Sequence, residues 1–293
     1  MNLMTRGERV FQVFLVLFIT LMCAAMLYPF VHLLSVSLST PAEAIRPGPH
    51  LYPLEFSLEA YRKTFEYGLI WIGYRNTLIR AAGGTFIALF MIALTAYPLS
   101  KRYLPHRSFY TLFIVFTMFF SGGLIPTYML IKNIGLMDSM WVYILPVMIP
   151  TFSLLIMRNF FMEIPDELED SAKIDGAGDF RSFVSIVLPL SKPILATVGL
   201  WQVVNHWNAW FDAMLYIQDP GKIVLQMFLR KLIVSNEAQE LNAMMNQAPG
   251  VEIVTPETIK AAALMVSTLP ILVVYPFIQK YFVKGILVGS LKG

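Results

Sequence analysis

At 293 residues, 57% hydrophobic and only 14% charged, the chain is too apolar for water to be its main solvent. Its net charge of +3 comes from 22 basic and 19 acidic residues spread over many segments, which excludes the dense basic tract of a nucleic-acid-binding protein. The single cysteine, Cys23, excludes an intramolecular disulfide.

Six apolar segments follow one another at about 10–36, 76–99, 109–131, 141–161, 194–217 and 259–282. Each approaches or exceeds the roughly 20 residues that cross a bilayer core, and lipid leaves helix as the only conformation that satisfies their backbones. The expected fold is all-α, a polytopic membrane protein with six transmembrane helices in a single domain over residues 1–293. Arg6 and Arg9 precede the first segment, which is too long for the apolar core of a secretory signal and reads as a retained helix. Met22 is bulky where a lipoprotein cleavage site before Cys23 needs a small residue. Pro29, Pro98, Pro146, Pro150, Pro270 and Pro276 fall inside the apolar segments and are expected to be tolerated there, neighbouring helices satisfying the freed carbonyls.

The connections set the orientation. The short link after the second segment holds Lys101, Arg102 and Arg107 with no acid, which places it in the cytoplasm. Both termini and the 163–193 loop then lie on the same side, and the longer connections 39–75 and 218–258 lie outside. Pro41, Pro47, Gly48, Pro49 and Pro53 divide the first of these into turns, before a short helix with Leu58, Tyr61 and Phe65 on one face. The second begins with an amphipathic piece around 224–234 and continues into a polar stretch carrying Asn236, Gln239, Asn242 and Gln247.

The 163–193 loop is the longest strongly charged stretch. Pro165 suits the first position of a helix, and Asp166, Glu167, Glu169 and Asp170 bring negative charge to its positive end. Gly176 and Gly178 suit a turn, Asp179 suits a cap, and Phe180, Phe183, Val184 and Val187 form the apolar face of a second helix.

Immediately beyond it, Trp201, Asn205, Asn208 and Asp212 are spaced by four, three and four residues, one face of a continuous helix. Polar groups in lipid are costly, so this stripe faces protein or water. One reading is interhelical hydrogen-bond glue; the other is a sugar path, in which amides and a carboxylate meet hydroxyls while Trp201, Trp207, Trp210 or Tyr216 stack on sugar rings. A proton relay through His206 and Asp212 is disfavoured by their separation of six residues, which puts them on different faces. No HExxH, GxxxxGK[ST] or GxSxG pattern occurs, so the commonest zinc-protease, nucleotide-hydrolase and serine-hydrolase signals are absent. No cofactor or metal site is expected on this chain.

Asp170, Ser171 and Ala172, then Gly176 after three residues, then Ile186, Leu188 and Pro189 after nine more, resemble the signature Glu-Ala-Ala, x3, Gly, x9, Ile-x-Leu-Pro of binding-protein-dependent ABC importer permeases. Asp170 stands where Glu is usual and Ser171 where Ala is usual, and Glu169 offers an acid one position early. The wider run from Ser171 to Thr197 looks like the carbohydrate branch, maltose-type permeases and their oligosaccharide-importing relatives. The resemblance implies a type I importer permease fold in a bacterial cell membrane. It further implies a second permease subunit, with a heterodimer preferred, two ATP-binding subunits that carry the ATP and Mg, and an extracytoplasmic solute-binding protein. The charged loop, with Glu169, Asp170, Ser171, Ala172, Asp175, Gly176, Ile186, Leu188 and Pro189, would be the coupling contact with an ATP-binding subunit. Gly285, Gly289 and Lys292 in the tail would pack against the ATP-binding dimer. The substrate would be an oligosaccharide, neutral or acidic. The rival reading is a polytopic membrane enzyme acting on lipid or sugar.

Overall fold

The structure, a computed structural model, describes residues 5–234 and 255–290, with Arg6 and 274–290 as backbone only. The described residues are predominantly helical, and their extended pairing is limited to one isolated bridge, Ser39 with Phe56. Among the described residues, three helices are long and apolar enough to cross a membrane unbroken, and three bent helix pairs raise the number of spans to as many as six when each pair is one span. Internal contacts group the chain into two units, residues 1–68 with 229–270 and residues 69–228 with 271–293.

In the first unit, span 1 is the helix Arg6–Ser37. It opens with a capping box, in which the Thr5 hydroxyl accepts from Glu8 N–H at 3.4 Å and the Glu8 carboxylate accepts from Thr5 N–H at 2.7 Å. Its most apolar window is covered by none of the described chain, as suits a helix whose solvent is lipid. Beyond it, Glu43 is buried and receives the backbone N–H groups of Leu54 and Glu55 at 2.6 and 2.7 Å, closing the proline-punctuated connection into a tight loop. Burial pushes the Glu43 carboxyl up, but those two N–H groups, with help from Ser39 and His50, hold it below its ordinary value of 4.5. The short helix is Glu59–Glu66. Its buried face is Ala60 and Thr64, with Tyr61 bonded to the Ser37 hydroxyl at 2.8 Å, whereas Leu58 and Phe65 of the expected face are exposed. Ala60 packs with Leu229, Leu232, Ile259, Ala262 and Ala263. The last three of these lie on span 6, the helix Pro256–Ser290.

In the second unit, span 2 is the unbroken helix Gly68–Ser100, which begins at Gly68 rather than at Asn76. The earlier start is possible because Arg75 and Asn76 find partners: Asn76 donates to the carbonyls of Gly221 and Ile223, both at 2.9 Å. Gly73 allows the backbone at Leu225 to approach so closely that an added Cβ would lie 3.1 Å from it. Span 3 divides into Arg107–Phe119 and Leu124–Asn133 with a 112° bend, where Gly123 takes φ of 84°. Span 4 divides into Met140–Val147 and Thr151–Met162 with a 51° bend. Pro146 and Pro150 lie at that break, so here the prolines interrupt the helix, while Pro29, Pro98 and Pro270 lie within continuous ones. The third bent pair is Asp179–Leu190 with Lys192–Asn208, at 80°; Lys192–Asn208 forms span 5 and is followed, after Ala209 and Trp210, by the short helix Phe211–Tyr216. Two apolar cores result. One gathers Ala88, Ile92, Ala96, Leu154, Met157, Phe183 and Val198; the other gathers Ile131, Val142, Tyr143, Ala213, Tyr216 and Val224.

Between spans 3 and 4, Asp138 ties the segment to the far end of span 5. Its carboxylate receives Gln218 N–H at 3.2 Å and Asp219 N–H at 3.1 Å, and Lys222 lies 3.8 Å away. The Asp219 N–H first, against slight desolvation, then Gln218 and Lys222 hold this carboxyl below its ordinary value. Helix Leu225–Val234 is the amphipathic piece expected around 224–234. Asn236, Gln239, Asn242, Gln247 and Lys292 lie outside the described residues; Gly285 and Gly289 fall on the backbone of span 6.

Candidate functional site

The charged loop forms the helix–turn–helix that its composition specifies. Its first limb, Asp166–Ile174, has Asp166, Glu167 and Glu169 in the first turn and Lys173 in the last, each charge opposed to the helix dipole. Pro165 is the residue just before the helix, rather than its first. The limb ends in a Schellman motif: Ala177 N–H reaches Ala172 carbonyl at 2.9 Å, Gly176 N–H reaches Lys173 carbonyl at 3.0 Å, and Gly176 has φ of 82°. The second limb, Asp179–Leu190, starts from Gly178 as cap and contains a π-helical stretch over Phe183–Val187. The wider turn keeps Phe183 and Val187 on the buried side, and leaves Phe180 and Val184 exposed.

The limbs differ in what they offer. Glu169, expected in the docking set as an acid one position ahead of the motif, is buried. Its carboxylate pairs with the Lys101 ammonium and accepts the Tyr97 hydroxyl at 2.9 Å, so it fastens the loop to the end of span 2 instead of presenting a charge outward. Asp170, Ser171, Asp175 and Gly176 are exposed, Ala172 is half-buried, and Ile174 is 87% exposed. Lys173 reaches Asp179 across the turn at 3.5 Å. Slight burial lowers its pKa, yet Tyr103 and Asp179 raise it above the ordinary lysine value. Ile186 and Leu188 are half-buried and Pro189 is exposed.

A cavity of about 680 Å³ lies where spans 4 and 5 are broken. Pro146, Val147, Ile149, Pro150 and Thr151 supply one wall; Gln202, Asn205, Asn208, Ala209 and Asp212 supply another. Non-helical backbone at membrane depth persists only inside protein or around a water-filled space, and both breaks meet that condition here. Of the residues expected on the path, Asn205, Asn208, Trp210 and Asp212 line the cavity. Trp201 lies against Phe152 with ring centres 5.8 Å apart, Trp207 is buried against Tyr74, and Tyr216 stacks on Tyr128. The expected single helical face ends at Asn208, because Asp212 belongs to the next helix.

Arg80, in the middle of span 2, is the residue that sequence reasoning missed. It is 2% exposed, and its guanidinium satisfies the break in span 5. It pairs through two nitrogens with the two oxygens of Asp212, donates to the freed carbonyl of Ala209 at 3.3 Å and to His206 Nδ1 at 3.4 Å, and lies 4.6 Å from the centre of the Tyr143 ring. His206 and Asp212, expected on different faces, therefore meet the same cation. The ring of His206 packs against Gly84, where an added Cβ would come within 2.6 Å of Nε2. The signal for Arg80 was available: a lone arginine inside an apolar segment is a candidate for function or structure by default.

Comparison with known proteins gives this arrangement a family. The pattern of the binding-protein-dependent transport system inner membrane components matches residues 70–288. The chain is 40% identical over 288 residues to the polygalacturonan/rhamnogalacturonan transport system permease protein YtcP of Bacillus subtilis, covering 98% of this chain and 99% of that one. It is 41% identical over 292 residues to protein LplC of the same organism, covering 99% and 97%. Among solved structures, a chain of a bacterial ABC transporter involved in the import of the acidic polysaccharide alginate superposes with a TM-score of 0.89 at 30% identity, over 96% of this chain and 100% of that one. The chain belongs to the binding-protein-dependent transport system inner membrane components, and it is a sugar ABC transporter permease.

Proposed function

We propose that the chain is one of two membrane-spanning subunits of an ATP-driven importer that takes up acidic oligosaccharides built from uronic acids. Hydrolysis belongs to two ATP-binding subunits, and an extracytoplasmic solute-binding protein delivers the sugar. The charged loop and both termini lie in the cytoplasm, where Asp170, Ser171, Ala172, Asp175 and Gly176 dock with an ATP-binding subunit. Gly285, Gly289 and Lys292 extend that contact through the tail. A second, similar permease completes the path.

The observation that carries the reading is the cavity at the two helix breaks, walled by Gln202, Asn205 and Asn208. Amides are suited to sugar hydroxyls because each offers donors and an acceptor, and Trp210 adds an aromatic face in the same wall. The preference for acidic sugars rests on the relatives, named for polygalacturonan or rhamnogalacturonan transport in one case and alginate import in the other. The test is ATPase activity of the assembled complex with its binding protein, in proteoliposomes, against a panel of trigalacturonate, alginate trimer and maltotriose. Stimulation by a uronate oligomer supports the reading; stimulation by maltotriose alone removes the acidic assignment. Sugar-modifying activity from the isolated chain would replace the importer with an enzyme.

A further inference from the structure

Span 2 is held by buried ion pairs at two places. Just past its end, Lys101 meets Glu169 of the charged loop, and both are nearly covered. Tyr97, one turn earlier, donates to the same carboxylate at 2.9 Å and packs its ring 5.0 Å from Phe183 of the second limb. Arg158 of span 4 donates to the Leu99 carbonyl at 3.2 Å and steadies this end of the helix. In the cavity, the Arg80 guanidinium holds Asp212 and the Ala209 carbonyl. Arg80 and Lys101 are separated by roughly 30 Å at the helical rise of 1.5 Å per residue.

The covalent routes from loop to cavity are less direct. An 80° bend separates Asp179–Leu190 from Lys192–Asn208, and the loop joins span 4 through the turn at Glu163–Pro165. Span 2 is unbroken between the two pairs. We propose that span 2 transmits movement of the charged loop to the cavity, with Lys101, Glu169 and Tyr97 as the positioning residues at one end and Arg80 with Asp212 at the other. A push on the loop moves Glu169, Glu169 moves the span, and Arg80 shifts the break that shapes the cavity wall. The inference rests on the proposed ATP-driven mechanism, in which the loop is the part that moves.

The test reads the cavity without needing the sugar. In the assembled complex with Cys23 replaced by alanine, a single cysteine at Asn205 is labelled with a small thiol reagent, with and without ATP and vanadate. The parent should change its labelling rate by about fivefold on nucleotide trapping, a size typical of coupling within one protein. Glu169→Gln should retain the ATP-binding subunits and trap nucleotide, yet lose most of that change, while Glu169→Asp should recover part of it. A helix joint that is merely structural would lower the amount of complex without altering the response of the complex that forms. Should Glu169→Gln fail to assemble, Tyr97→Phe is decisive, because it removes one hydroxyl from the same carboxylate and keeps both charges. A full parental response in Glu169→Gln, or in Tyr97→Phe where that variant decides, overturns the proposal. Absence of any nucleotide response in the parent would instead overturn the ATP-driven reading on which it rests.

Discussion

Arg80 shows how one side chain sets the shape of a membrane site. A guanidinium in an apolar segment is costly alone, and it becomes tolerable because its donors reach Asp212, Ala209 and His206 and its face meets Tyr143. Removing one partner of such a pair leaves the other charge buried, at about 3–5 kcal/mol. Asp212→Asn, which leaves the 2%-exposed guanidinium without a counter-charge, should therefore destabilise the purified complex strongly, and Arg80→Met, which leaves a carboxylate 21% exposed at the cavity, should do less harm. Thermal unfolding in detergent checks this order, and equal stability of Asp212→Asn and wild type would contradict it. Gly84→Ala should also destabilise, by about 1–3 kcal/mol, because the new methyl must displace the His206 ring. Glu43 gives a pH effect of known sign. Its folded pKa is depressed, so its stabilisation is fully present above the ordinary value of 4.5 and is lost as pH falls through the lower folded value. Protection of the Leu54 and Glu55 amides against hydrogen exchange should weaken through that acidic window; protection that is flat with pH would remove the role assigned to the carboxylate.

At the scale of an element, the charged loop and the broken fifth span behave differently. The loop follows local rules closely: acids at the helix start, a lysine at its end, and a glycine in the left-handed region at the turn. An added Cβ at Gly176 would meet nothing, so the cost of substitution there is backbone strain alone, on the order of 1–3 kcal/mol and more for a β-branched residue. Gly176→Val should distort the exposed turn and uncouple ATP hydrolysis from uptake while leaving the membrane spans folded. A Gly176→Val complex with the wild-type ratio of sugar taken up to ATP hydrolysed would refute this. In span 5, alanine at Asn205 or Asn208 removes a hydrogen-bonding group from the cavity wall. Uptake should fall by about threefold to tenfold for each, the worth of one ordinary hydrogen bond, without loss of assembled complex. Transport kinetics on the two variants, set beside the yield of complex, separates this from general destabilisation.

For the whole molecule, hydropathy and spacing made the class readable: six apolar segments fixed an all-α membrane protein, and the spacing from Asp170 through Gly176 to Pro189 pointed to the family. These features are local, so each is written in a short run of residues. The break in span 3 is visible as Gly122 and Gly123 and that in span 4 as Pro146 and Pro150, residues that weaken a helix wherever they stand. The break in span 5 has neither glycine nor proline. Ala209 and Trp210 leave the helix where Arg80, 129 positions earlier, supplies the hydrogen bond that the freed Ala209 carbonyl needs, and only the tertiary structure brings those groups together. The same holds for Glu169. Sequence placed its acid in the docking face, but a helix shows its charges to whatever surrounds it, and Lys101 and Tyr97 happen to surround this one. Local periodicity thus determined which stretches are helices, and the motif residues of the charged loop carried the family resemblance. The partners of the buried charges, and with them the shape of the cavity, were decided by long-range packing, because a charge in an apolar interior takes its role from the group that compensates it.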